Sequence, residues 1–515
     1  MMKTNRNIAS VLNVIAAVGL TLVNGLLGIV VTRLVLVSFG SDFNGLNATA
    51  NQIVNVLLVL EGGLTLASNV ALFEPVSTGN EQLVNRLLHA TRSKFRKTGI
   101  LFLCAGMVAA AAYTAAVNSG LHKGLIAAVI LMTVAPQAFQ LFYATTYRVY
   151  LQAQQKEYMI SFITMLTVGV GHVVNMGLIF CGGAMWMVRF TTMVAAFANS
   201  FMIVGYVRRR YQAIKMDTDA SPIAIKGTND VLVQKITGIL YESVPIVFLS
   251  VSPVGGTMLA SVYAVYNSVF VLVKSLLHGV IDAPRLGIGQ MLTEKTKEEV
   301  WEVFRQYEFV AAAAVLILLT TAYALILPFI QIYTLGMEDI SYYDPVIAFF
   351  MVLISAVEML HIPSGHLLNM AGEFKISRNF QVTACMLLLV TMTAGGSLFG
   401  IYGMLAALLL TACALAVMEM GYVHIYFFPN KMYALGRIIA PFIVLGILIC
   451  MVERSVSFRC SGYIDFFLYG IFFMGIHTIA AFFTAFVFHR TLTFDLLCRI
   501  RRIFFKYIQK ERNNQ

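Results

Sequence analysis

Charge is scarce in this chain. Asp, Glu, Lys and Arg make up 12% of its 515 residues, against about 25% in soluble domains. Seven cysteines show no paired spacing, which excludes a disulfide framework or a cysteine metal cluster. Cys104, Cys385, Cys413 and Cys450 lie inside apolar blocks, where a thiol serves as a small hydrophobe. There is no Walker-A loop or other nucleotide motif, so ATP hydrolysis on this chain drives nothing it moves. No Ser/His/Asp or Cys/His constellation suggests a catalytic site, and nothing implies a cofactor.

What the chain has instead is apolar length. Hydrophobic residues reach 59% and mean hydropathy is +0.80. They fall in blocks of about 20 or more, enough to cross a hydrocarbon core of about 30 Å. The fold class is therefore an all-α polytopic membrane protein of about 14 transmembrane helices. The spans fall near 10–37, 45–74, 98–117, 124–147, 158–181, 184–207, 236–252, 257–280, 309–332, 345–370, 379–398, 401–427, 437–452 and 464–488. The pairs at 158–207 and 379–427 are divided only by short glycine-containing turns and read as hairpins. The first block is too long for the core of a cleaved signal peptide.

Basic residues set the orientation. With the N-terminus cytoplasmic, 30 of the 36 Lys and Arg fall in cytoplasmic segments. The outer loops hold Lys123, Arg454 and Arg459, and Arg33, Arg189 and Lys274 lie inside spans. Both termini are expected to be cytoplasmic. The same distribution explains the pI of 9.2 without nucleic acid, because the charge is spread over many short loops facing anionic headgroups. "EQLVNRLLHATRSKF" and the tail "RIRRIFFKYIQK" read as helices lying along the inner membrane surface. The longest outer loop, "TLGMEDISYYDP", has about a dozen residues and the largest cytoplasmic one fewer than about 30, too few for a soluble domain.

Within "LEGGLTLASNV" a carboxylate, Glu61, stands inside an apolar span. On one continuous helix Asn47, Asn51, Thr65, Ser68 and Asn69 lie within about 80° of it. That polar stripe faces either a cavity or a hydrogen-bonded seam between helices. A lone carboxylate at the bilayer centre costs about 2.5–3.5 kcal/mol on insertion scales, so it needs such a face. Arg33, Arg189, Glu242, Lys274, Glu358 and Glu419 repeat the pattern in other spans. Arg33, Arg189 and Lys274 sit near span ends and can also snorkel. Glu358 and His361 form a Glu-x-x-His pair in "EMLHIPSGH". A di-metal bundle needs two such pairs and no second copy exists, so a polar helix kinked near Pro363 is the preferred reading.

"NGLNATANQIVNVLLVLE" and "GTMLASVYAVYNSVFVLVK" each follow a short outer loop. Aligning Leu46 with Leu259 sets Glu61 against Lys274, an echo of a parallel repeat. "FGSDFNGLNATANQIVNVLLVLEGGLT" and "ASVYAVYNSVF" resemble the second and eighth helices of bacterial polysaccharide (O-antigen or capsule repeat-unit) flippases. These belong to the multidrug/oligosaccharidyl-lipid/polysaccharide exporter superfamily. The resemblance implies a MATE-like fold of two six-helix lobes plus two C-terminal helices. The divisions are 1–207 (first lobe), 208–235 (cytoplasmic linker), 236–428 (second lobe), 429–488 (two further helices) and 489–515 (basic tail). It also implies translocation of an undecaprenyl-diphosphate-linked glycan across the bacterial inner membrane by alternating access. Arg33, Arg189, Lys274 and Arg285 are then the candidate phosphate-binding cations. Asn47, Asn51 and Asn69 are candidates for sugar hydroxyls. Glu61, which also faces the substrate path, joins Glu242 and Glu358 as a candidate site for a coupling proton or sodium ion. Two rivals are a MATE-type exporter of drugs or small cations, whose cavity should be dominated by carboxylates, and a membrane polysaccharide polymerase or ligase, which should carry a large outer loop.

Overall fold

The computed structural model describes residues 2–212, 214, 229–455, 460–496 and 498. The expected basic surface helix of the C-terminal tail and most of the 208–235 linker lie outside the described residues. In chain order the helices are α1 (Met2–Leu57), α2 (Leu64–Thr78), α3 (Glu81–Ala116), α4 (Lys123–Phe139) and α5 (Thr145–Ala153). Next come α6 (Glu157–Phe180), α7 (Met185–Arg210), α8 (Asn229–Val251), α9 (Thr257–Ile281) and α10 (Arg285–Glu294). The last five are α11 (Lys297–Tyr333), α12 (Pro345–Met370), α13 (Phe374–Tyr422), α14 (Met432–Ser455) and α15 (Tyr463–Phe488). Among the described residues there is no strand.

Among the described residues, twelve helical segments are long and apolar enough to cross a membrane. Two of them carry two passes each. At about 1.5 Å per residue a helix of 20 residues spans the core, whereas these run for 47 and 54 residues. Each is broken at one glycine whose backbone no side chain tolerates well: Gly40 at φ 83 and Gly400 at φ 58. Both breaks coincide with turns read from the sequence. One expectation fails at α3: "EQLVNRLLHATRSKF" does not form a separate surface helix. It continues without interruption into the apolar stretch that ends at Ala116, capped at its start by the Asn80 side chain accepting from the Leu83 N–H.

By contacts the chain divides into two compact units. The first is Met1–Ala264 with Gly336–Ile340 and Gly396–Ile401. Here α1 packs on α6 and α8, and α3 on α4. Just past Gly40, the Asp42 carboxylate accepts from Ser119 Oγ (2.7 Å), the Gly120 N–H (2.8 Å) and the Thr257 hydroxyl. Asp339 similarly holds Ser41 through its N–H and hydroxyl. Gly45 allows α1 to meet the start of α9: a Cβ there would lie 1.7 Å from the Thr257 carbonyl oxygen.

The second unit is Val265–Leu335 with Ser341–Gly395 and Tyr402–Gln515. Tyr266, from the "YAVYN" run, is fully buried, and its hydroxyl donates to the Tyr342 carbonyl at 2.9 Å. It thereby anchors the loop that leads into α12, where Asp344 caps the helix ahead of Pro345. A core of Phe309, Ala312, Leu316, Ile438, Ile439, Phe442, Ala481 and Ala485 fastens α14 and α15 to α11.

Candidate functional site: interior charges in two units

The helix that carries Glu61 is not continuous. After α1 the chain tightens into a short 3-10 turn, Leu58–Glu61, and then passes through Gly62 and Gly63, both left-handed at φ 60 and φ 67. Two consecutive left-handed residues stop the i to i−4 ladder, and only glycine adopts that backbone freely. Helix α2 restarts at Leu64, and the Glu61 carboxylate accepts from the Thr65 N–H at 2.9 Å. Its other oxygen lies 3.4 Å from Nζ of Lys235 on α8. The carboxylate is therefore tolerated because it caps a restarting helix, whose N-terminal end favours negative charge, and faces a cation. Non-helical backbone within a span is expected only where protein or a watery cavity surrounds it.

This break corrects the single polar stripe. Residues on the two sides of Gly62–Gly63 do not share one helical frame. Ser68 is fully buried, with the Thr91 hydroxyl at 3.5 Å from its own. Asn69 donates to Gln152 Oε1 at 2.9 Å, tying α2 to α5. That half of the stripe is an interhelical seam. On the other half, Asn51 is exposed and joined to Arg189, whose Nη1 lies 3.2 Å from Asn51 Oδ1 and whose Nη2 donates to the Asn47 carbonyl at 2.8 Å. Arg189 is only 8% exposed. It clamps α7 to α1 and does not snorkel.

In the second unit, Lys274 on α9 pairs with Glu358 on α12 at 3.0 Å. The repeat echo set Glu61 against Lys274, yet each finds its partner inside its own unit. The Glu-x-x-His pair also separates: Glu358 goes to Lys274, while His361 Nδ1 reaches Glu419 Oε2 on α13 at 2.8 Å. Among the described residues no cluster of three or more His, Cys, Asp or Glu could hold a metal ion. Glu242 is exposed on α8, one turn before Pro245. Arg285 is exposed at the start of α10, and Arg33 is half-buried on α1.

The structure thus brings Asn47, Asn51 and Arg189 together, and Lys274 with Glu358, but leaves Asn69 facing α5. Several interior groups escaped the sequence reading. The span boundaries leave Lys235 in the 208–235 linker. The same boundaries leave Arg148 in a cytoplasmic loop, yet it is half-buried and lies 3.3 Å from Thr164 Oγ1. The pairs His424–Glu308 (3.1 Å) and His477–Glu453 (2.8 Å) are both almost fully buried. No local spacing rule could have found them, because each pair joins two different helices, α11 with the turn after α13 and α14 with α15.

No family model matches the sequence, and no curated protein matches it. The fold does have solved counterparts. Lipid II flippase MurJ in an inward closed conformation matches with a TM-score of 0.64 at 12% identity, over 93% of this chain and 100% of MurJ. An inward-facing multidrug resistance MATE family transporter of the MOP superfamily matches with a TM-score of 0.59 at 12% identity, over 85% of this chain and 96% of the transporter. The MATE multidrug transporter DinF-BH, in complex with R6G, matches with a TM-score of 0.58 at 13% identity, over 82% and 96%. The chain has the MATE/MurJ fold.

Proposed function

We propose that this protein is a transporter, not an enzyme, and that it flips an undecaprenyl-diphosphate-linked oligosaccharide from the cytoplasmic to the outer leaflet by alternating access. The observation that carries the reading is the fold match to MurJ, a lipid II flippase, along that chain's entire length. The interior charges suit the task. A diphosphate headgroup carries about two negative charges and leaves water at a cost of several kcal/mol unless cations replace its hydration.

Lys235 and Lys274 are held at 3.4 Å and 3.0 Å by single carboxylates. Protonation of Glu61 or Glu358 would release the lysine to substrate phosphate, which joins ion coupling to headgroup binding through one bond. Glu242 is the third coupling carboxylate in this reading. Asn51, oriented by Arg189, is placed to meet sugar hydroxyls, with Arg33 and Arg285 as further cations. The orientation we assign, with both termini cytoplasmic in a bacterial inner membrane, follows from the 30-to-3 basic asymmetry.

A second reading draws on the same pairs. Because these lysines face carboxylates, each pair is close to neutral and also suits a weakly charged or cationic drug. Proteoliposomes containing a fluorescent undecaprenyl-diphosphate oligosaccharide separate the two. Flipping that needs the protein, with binding that weakens as salt rises, supports the flippase. Efflux of R6G from cells without any flipping would replace it with the drug exporter.

A further inference from the structure

One deeply buried acid of the second unit is outside every role given above. Glu308 on α11 is 3% exposed and His424 is 0% exposed. His424 lies in a π-helical turn, Val423–Phe427, that follows α13. Its Nε2 is 3.1 Å from Glu308 Oε2, and its Nδ1 is 2.8 Å from the Met420 carbonyl oxygen. A carbonyl only accepts, so Nδ1 must carry a hydrogen. A neutral imidazole has one N–H. With that hydrogen on Nδ1, Nε2 would present a lone pair to a carboxylate oxygen. Two acceptors at hydrogen-bond distance, both out of water, repel each other. The contact is satisfied only if one further proton sits between them, on the imidazole or on the carboxyl.

Among the described residues, the surroundings supply no alternative. Glu308 Oε1 is buried without a hydrogen-bond partner. The nearby cations are occupied by rings: Lys431 Nζ is 5.5 Å from the Trp301 ring centre and Lys297 Nζ is 4.9 Å from that of Phe427. Arg305 is held by Glu302. On α12, His361 faces Glu419 and His366 faces Tyr307 and Asp282. Arg437 is the charged group in the first turns of α14, and its field reaches His489. Trp301 and Phe304 close over the imidazole with ring centres 5.6 Å and 6.0 Å away.

We propose that Glu308 and His424 form a buried proton-binding site, holding one proton at neutral pH and clasping the π-turn after α13 onto α11. The site is separate from the ion-coupling carboxylates proposed above, and its test does not depend on transport. π-Turns within helices recur at functional sites. This one gives the proton a mechanical role: without it, the turn has no attractive contact with Glu308.

The test is nitrogen-15 NMR of histidine-labelled, full-length protein in lipid nanodiscs at pH 7. Magnetisation transfer from labelled Met carbonyl carbon picks out His424 across its 2.8 Å bond. Protonation of both ring nitrogens supports the site. So does an Nδ1–H tautomer accompanied by a carboxylic-acid infrared band that disappears in Glu308→Gln. A bare Nδ1, or an Nδ1–H tautomer beside an ionised Glu308, overturns it. Glu308→Gln adds a second check. Its amide donates to Nε2 with no extra proton, so His424 should be the neutral Nδ1–H tautomer in that variant, and an imidazolium there would count against the assignment.

Discussion

Replacing Glu61 by glutamine separates its two contacts. The amide oxygen of Gln still accepts from the Thr65 N–H, so the restart of α2 stays capped, whereas the charge facing Lys235 is lost. That ion pair joins a side chain 10% exposed to one 49% exposed at 3.4 Å. Pairs with one partner in solvent contribute about 0–1 kcal/mol. Glu61→Gln should therefore shift the melting temperature by no more than about 4 °C. Glu61→Leu also removes the cap and should cost a further 0.5–2 kcal/mol or so, the usual value of a helix N-cap. If the charge governs access of Lys235 to phosphate, lipid-linked oligosaccharide flipping by Glu61→Gln should fall at least about tenfold at normal abundance. Lys235→Ala should act in the same direction, and the double variant should be no worse than the poorer single one. Melting and flipping are measured on the same purified protein. Wild-type flipping by Glu61→Gln would reduce Glu61 to a helix cap and refute the coupling argument.

Gly45→Ala puts a methyl group into the backbone of Thr257, and should cost at least about 1–3 kcal/mol, the overpacking range, seen as a lower melting temperature in detergent. Normal melting would mean that α1 and α9 separate easily. Arg189→Ala leaves Asn47 and Asn51 without their donor and should cost about 1.5–3 kcal/mol, with Arg189→Lys intermediate because a lysine reaches only one of them. Native Cys181, exposed in the turn between α6 and α7, and a cysteine at Ser341 should react with an impermeant thiol reagent in intact cells. Cysteines at Thr218 and Asn513 should not react, and labelling at either would invert the orientation.

Hydropathy made most of the spans legible, because their length is dictated by the bilayer and needs no tertiary information. The hairpin boundary near residue 400 was also visible, since a glycine marked it. The break at Gly62–Gly63 is written in "LEGGLT" but hidden from hydropathy: about 19 residues of mean hydropathy average a two-residue interruption away, and helical periodicity assumes the continuity that the glycines remove. The partners of the interior charges could not be read at all. Glu61 meets a lysine 174 positions away and His361 a glutamate 58 positions away, and neither spacing has a local signature. His361 shows the hazard, since its i−3 neighbour Glu358 was the obvious partner in sequence but points to Lys274.

The attachment of α14 and α15 divides tolerance to substitution unevenly between them. Both rest on α11, and α15 buries only His477, Ala481, Thr484 and Ala485 from its 26 residues. Small side chains at near-helical spacing let two helices approach closely without interlocking. Helix α14 is held differently, with Leu435, Ile438, Ile439 and Phe442 buried in the core it shares with α11. The large side chains of α15, Phe467, Ile471, Ile479 and Phe483 among them, stay exposed, so exchanging one apolar residue for another there removes little packing, whereas the same exchange at Phe442 of α14 opens a cavity.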